Sequence, residues 1–237
     1  MTFSNKKPCH FLYPAAGLCG NVVVRDIGIP EAAVLASSPY IWETADADAA
    51  ALLRPRPQNS HKGTFGSVLA VAGSAFYRGA ALLAAEGALR TGAGIVTLAS
   101  VEPVVSAAVT RLPECCLCPC KEGAQGGIAP ENVPLLRRQK ATVLLLGPGL
   151  GSTAQSAARA AETRTLVQQL LPGFAGAAVL DADGLNAAAQ LLAEGKTNRI
   201  VCTSGDQIVN VDIDEGLAMT KTLNPEEFEV MTVMTGR

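Results

Sequence analysis

The sequence predicts an α/β fold in three layers, a mostly parallel sheet with helices on both faces. Three observations carry it. Short, almost wholly apolar runs recur along the chain, as strands buried on both faces require. Alanine- and leucine-rich segments of helical length separate them. Glycine, aspartate or serine follows most of these runs, where a strand gives way to a turn.

In chain order, residues 1–29 end in the apolar run NVVV and then DIGIP. They read as the last strand of a separate unit, followed by a stop. Residues 30–59 are rich in Ala, Asp, Pro and Arg, with RPRP at 54–57. They read as a linker with one short helix near 43–53. A core spans 60–196. SVLAVAG (67–73) is its first strand and 79–91 its first helix, with Leu82, Leu83 and Leu89 among alanines. IVTLAS (95–100) is a strand, and 101–112 a helix with Pro103 in its first turn, where proline is tolerated. ATVLLL (141–146), a helix over 153–170, AGAAVL (175–180) and a helix near 185–193 follow. RIVCTS (199–204) reads as a fifth strand, inside a divergent segment over 197–237.

Composition narrows the function. Of the 237 residues 49% are hydrophobic and only 4% aromatic, so the core is built from Ala, Val and Leu. A chain of this length buries most of its apolar surface without disulfides. A net charge of −2 gives no electrostatic reason to expect a nucleic-acid partner. The N-terminal MTFSNKKPCHFLYPAAG lacks the apolar stretch of a signal peptide, and no run of about 18 apolar residues suggests a membrane. The seven cysteines are therefore expected as reduced thiols in the cytoplasm. Four crowd into CCLCPC (115–120), too close along one extended segment to wrap a tetrahedral zinc. They read as a strand with buried small thiols. His10 and His61, the two histidines, lie far from it, so a Cys–His pair is poorly supported.

In parallel α/β sheets ligands sit beyond the carboxyl ends of strands. The informative residues are then Gly73 and Ser74, the GPGLG of 147–151, the DAD of 181–183 and the TSGD of 203–206. Gly73, Ser74 and Gly79 can expose backbone amides to an anion at a helix N-terminus. Neither a Walker A ending nor a dinucleotide fingerprint is present, so spacing alone equally allows a plain turn. Gly147, Gly149 and Gly151 permit close approach of backbone to a ligand or a tight turn. Asp181 can face the crevice, and Asp183 reads most simply as a helix N-cap. A carboxylate pair so spaced also allows magnesium. Lys62 is a point charge for a phosphate or a solvated lysine.

Set together, HKGTFGSVLAVAGSAFYRGAALLAAEGALRTGAGIVTLAS, LLLGPGLG and VLDADGLN resemble the ADP- or ATP-dependent NAD(P)H-hydrate dehydratases of the ribokinase-like superfamily. The likeness runs from His61 to Asn186. The preceding KKPCHFLYPAAGLCGNVVVRDIGIP resembles the end of the epimerase domain that precedes the dehydratase in bifunctional bacterial enzymes. The resemblance implies repair of the S-form of hydrated NADH or NADPH. ADP or ATP phosphorylates the ring hydroxyl, loss of phosphate restores the dihydropyridine, and Mg2+ assists. It implies substrate contacts at Ala80 and Gly149; Lys62, Gly73, Ser74, Gly79, Gly147, Gly151, Asp181 and Asn186 are the candidate lining residues around them.

Beyond Asn186 the pattern changes. The family continues with TPHPGE, a lysine-glycine segment and a late GTGD whose aspartate is the base. Here NPEEF and the closing MTG stand near the TPHPGE position without its histidine. TSGDQIV (203–209) places Asp206 in the base position, though earlier in the chain, and Gly-Asp is also ordinary turn chemistry. The resemblance thus implies a fold incomplete at its C-terminus and a chain cut at both ends. Such a chain is expected to have impaired turnover and to self-associate as a homo-oligomer. An inactive nucleotide-binding remnant and a small-molecule kinase are the alternatives.

Overall fold

A computed structural model describes residues 1–11, 14–36, 46–53, 55–152, 156–193 and 200–202. The chain divides into two compact units, Met1–Pro55 and Arg56–Arg237. In the first, strand β1 (Thr2–Phe3) pairs in parallel with β2 (Val24–Arg25). The Lys7 ammonium donates to Thr2 Oγ1 and to the carbonyls of Phe3 and Asn5 at 2.7–2.8 Å, which pins this end of the chain. Helix α1 (Glu31–Ala36) was not expected from the sequence; α2 (Asp46–Leu52) matches the short helix placed near 43–53.

The second unit holds β3 (Ser67–Val71), α3 (Arg78–Arg90), β4 (Ile95–Val101), α4 (Glu102–Arg111), β5 (Cys116–Cys120) and α5 (Val133–Arg137). It continues with β6 (Val143–Leu146), α6 (Ala157–Leu170), β7 (Ala177–Leu180), α7 (Asp183–Ala193) and β8 (Ile200–Cys202). Its six strands are parallel throughout, in the order β5–β4–β3–β6–β7–β8. The chain starts at the centre, moves outward through β4 and β5, returns to β6 and moves outward the other way. Right-handed crossovers then place α3 and α4 on one face and α6 and α7 on the other. Burial agrees, because Leu69, Ala70, Val71 and Ala72 are all fully buried although successive side chains point to opposite faces. Replacing Leu69 by Ala is expected to cost about 3 kcal/mol, the usual scale for a buried leucine, measured by urea unfolding.

Alanine-rich helices let α3 and α4 approach closely. Glu86 of α3 accepts from Arg90 one turn on (2.5 Å) and from Arg111 of α4 (2.9 Å). The Arg111 hydrogen bond, with help from Arg90, holds the Glu86 carboxyl below its ordinary range. Its contribution is present above the unfolded carboxylate value and is lost as pH falls through the lowered one.

The cysteine-rich segment is a strand, β5, as its composition suggested. Cys115, Cys118 and Cys120 are buried and Cys116 is exposed. Burial raises all three buried thiols, with Cys120 pushed up to about 12. At pH 8, iodoacetamide is expected to label Cys116 in the folded protein and to spare these three, read by peptide mass spectrometry. Among the described residues no helix is long and apolar enough to cross a membrane.

Candidate ligand site at the carboxyl ends of the central strands

Strands β3 and β6 are neighbours, and the chain leaves them in opposite directions. This is the topological switch point, where the two following loops diverge and leave a crevice. The loop after β3 carries Gly73 and Ser74, and the loop after β6 is 147–151.

The two loops are stitched together. Gly73, at φ +81°, donates its N–H to the Pro148 carbonyl at 2.7 Å. A Cβ on Gly73 would stand 2.7 Å from Ala81 Cβ, so glycine is required for α3 to pack here. Ser74 is buried, and its hydroxyl accepts the Tyr77 N–H at 3.3 Å, closing the turn into α3. Tyr77 is the N-cap of α3 and makes no side-chain cap hydrogen bond. The Tyr77 side chain therefore caps none of the first amides of α3, those of Arg78, Gly79 and Ala80. Around Gly79 a Cβ would meet nothing within 4 Å, and Phe76 is 71% exposed beside this opening.

Gly149 faces this turn. A Cβ on it would lie 2.9 Å from the Tyr77 carbonyl and 3.0 Å from Ala80 Cβ. The fold thus brings together Ala80 and Gly149, 69 positions apart in sequence. Gly147 (φ +131°) lies against the next loop, where a Cβ would stand 1.9 Å from the Asp181 carbonyl oxygen. Asp181 donates its N–H to the Leu146 carbonyl, and its carbonyl accepts from Gly184.

Asp183 is not the N-cap that the sequence suggested. It is the first residue of α7, and its Oδ2 accepts the Gly151 N–H at 2.7 Å. The residue before it, Ala182, has φ +47°, a left-handed conformation uncommon for alanine. Asn186 is exposed in the first turns of α7.

Lys62 stands apart from this group. It opens a 3₁₀ turn before β3, and its carbonyl lies where a Cβ on Gly94 would fall. Gly94 precedes β4, so the Lys62 backbone sits at the amino end of the sheet, a strand's length from the crevice. Asp206 lies outside the described residues.

Sequence reasoning missed Arg159. It is 1% exposed, in the first turn of α6. Its Nε donates to the Leu150 carbonyl at 2.8 Å, a second guanidinium nitrogen donates to the same oxygen, and Nη1 pairs with Glu162 at 3.1 Å. Burial lowers its proton affinity, an effect opposed by Glu162 and then Asp183. Thr163, one turn on, donates to the Gly151 carbonyl at 2.8 Å. A signal was present. Arg159, Thr163, Leu166, Val167 and Leu170 share the buried stripe of α6, so two polar residues stand where apolar ones would continue it.

Glycine-bearing loops at the switch point of an open parallel sheet, next to the N-terminus of α3, define a doubly wound α/β protein. The chain belongs to the NAD(P)H-hydrate dehydratase family, whose model matches residues 68–204, more than half its length. It is 37% identical over 80% of its length to a bifunctional NAD(P)H-hydrate repair enzyme of Moorella thermoacetica, covering 35% of that protein. It is 40% identical over 42% of its length to an ADP-dependent (S)-NAD(P)H-hydrate dehydratase of Listeria monocytogenes, covering 33% of it. The chain thus spans about a third of the length of these relatives. A ribokinase-like superfamily protein of Enterococcus faecalis shares the fold at 22% identity, with a TM-score of 0.51 over 73% of this chain and 54% of that one.

Proposed function

We propose that the crevice between the 73–77 turn and the 147–151 loop binds the S-form of hydrated NADH or NADPH. The reaction it serves is nucleotide-dependent dehydration back to the dihydropyridine. The observation that carries this reading is the meeting of Ala80 and Gly149 at the switch point of a chain of this family. The Listeria relative's name supports ADP as the phosphoryl donor, with ATP the alternative.

The chemistry needs a hydroxyl turned into a better leaving group, because hydroxide leaves poorly and phosphate leaves well. The chain's described residues contribute position and charge. Gly149 allows the ring to lie close to backbone. Ala80 presents only a methyl group beside it. The N-terminal amides of α3 favour negative charge developing on a departing phosphate. Among the described residues no group of three or more His, Cys, Asp and Glu is placed to hold a metal. Magnesium fits this reading as an ion carried on the nucleotide's phosphates.

The experiment is to mix the chain with the S-form of NADH hydrate and ADP or ATP, and follow the return of dihydropyridine absorbance. Return of the band with either nucleotide supports the reading; failure to bind the hydrate at all contradicts it. Binding without turnover is the second reading, an inactive remnant, favoured by the absence of histidine from NPEEF and the early position of Asp206. We also propose self-association, motivated by exposed Leu83 and Val109 on α3 and α4. A sharp monomer by light scattering at high concentration contradicts it.

A further inference from the structure

We propose that Arg159 is a positioning residue that locks the Leu150–Gly151 peptide plane and thereby holds Gly149 against Ala80. This rests on the reading that the 147–151 loop lines the ligand site.

Glycines at 149 and 151 flank Leu150, so nothing in the sequence itself fixes the peptide between Leu150 and Gly151. A trans peptide directs its carbonyl and its N–H in opposite directions within one plane. Both ends of this plane are held. Arg159 donates two N–H groups to the carbonyl, and Asp183 accepts the N–H at 2.7 Å. The following carbonyl, of Gly151, takes the Thr163 hydroxyl. Rotation of the plane breaks all of the first three bonds together.

A buried arginine is otherwise a costly choice, since arginine is almost never fully buried unless paired. A leucine in its place would continue the apolar stripe of α6. What leucine cannot supply is a forked donor for a carbonyl that α6 does not itself satisfy. The surroundings are fitted to the guanidinium. A Cβ on Gly127 would overlap it, and Glu162 neutralises the edge not used by the loop. The hairpin that carries Gly127 in turn accepts the Ala75 N–H through the Gly126 carbonyl, at 2.7 Å. One side chain is thereby packed between the 147–151 loop and the hairpin that is bonded to the 73–77 turn.

The test uses the full chain and the variants Arg159→Met and Arg159→Lys, with Leu166→Ala as a control for loss of stability in the same helix. Amide hydrogen exchange reads the clamp in the free protein, and titration with the S-form of NADH hydrate reads its consequence. In Arg159→Met, exchange at Gly151 is expected to rise about tenfold or more, the factor for losing a hydrogen bond to a charged group. Hydrate affinity is expected to fall by a similar factor, with partial recovery in Arg159→Lys. Leu166→Ala is expected to lower stability and leave hydrate affinity within about twofold, because its side chain touches no loop bond named above. If Arg159→Met does not fold, Arg159→Lys carries the test, with the same direction at Gly151 and a smaller size. Unchanged exchange at Gly151 in a folded Arg159→Met overturns the clamp. Faster exchange with unchanged hydrate affinity overturns its role in positioning. A wild-type chain that binds no hydrate removes the underlying reading instead, and exchange alone then decides the clamp.

Discussion

Gly147→Ala is expected to lower stability by about 4 kcal/mol or more, the range reached by a clash that packing cannot relieve. The new methyl group would stand 1.9 Å from the Asp181 carbonyl oxygen and 2.7 Å from the Gly184 nitrogen. Both are backbone atoms in the first residues after β7, so neither can rotate away. The residue also sits at φ +131°, which L side chains rarely adopt. For a unit of this size the loss corresponds to roughly 10 °C or more in Tm, measured by calorimetry. Gly87→Ala provides the contrast. It lies in α3 with nothing within 4 Å of a Cβ, and is expected to gain about 1 kcal/mol from helix propensity. Equal effects at the two glycines would show that the two carboxyl-end loops are not packed as described.

Ala80→Leu is expected to weaken binding of the S-form of NADH hydrate about a hundredfold and to change stability by only about 1 kcal/mol. Ala80 is in the first turn of α3 and only partly buried, and leucine is a good helix former there. Its longer side chain would extend over Gly149, where a Cβ already comes within 3.0 Å of Ala80 Cβ. Overpacking of this kind costs about 1–3 kcal/mol, and on the proposed reading most of it falls on the ligand. The two constants are separable by titration and by urea unfolding of the same preparation. Retained affinity with a well-folded variant would remove Ala80 from the site.

The order of strands and helices was legible because each parallel strand is buried on both faces. SVLAV, ATVLLL and AGAAVL carry no polar residue beyond an initial serine or threonine, and each was placed to within a few residues. The carboxyl-end loops were legible for the related reason that glycine and aspartate interrupt such runs. What holds those loops was not. Arg159 acts on a residue nine positions away through a carbonyl, and the Asp183 carboxylate acts on an amide 32 positions away. Neither pairing has a local signature. Asp183 was read as an N-cap because local spacing cannot show that a neighbouring loop competes for its oxygen. Lys62 was left open between a phosphate contact and a solvated lysine because its charge is visible in sequence, whereas the end of the sheet on which it lies depends on the direction of β3.

The central claim is that the loops after β3 and β6 together form the hydrated-nicotinamide site. Amide hydrogen exchange of the chain with and without the S-form of NADH hydrate tests it most directly. The account predicts slowed exchange within residues 73–81 and 147–151, with the amino end of the sheet around Lys62 unchanged. Slowed exchange confined to other segments, or no change at a hydrate concentration that saturates binding, would contradict it.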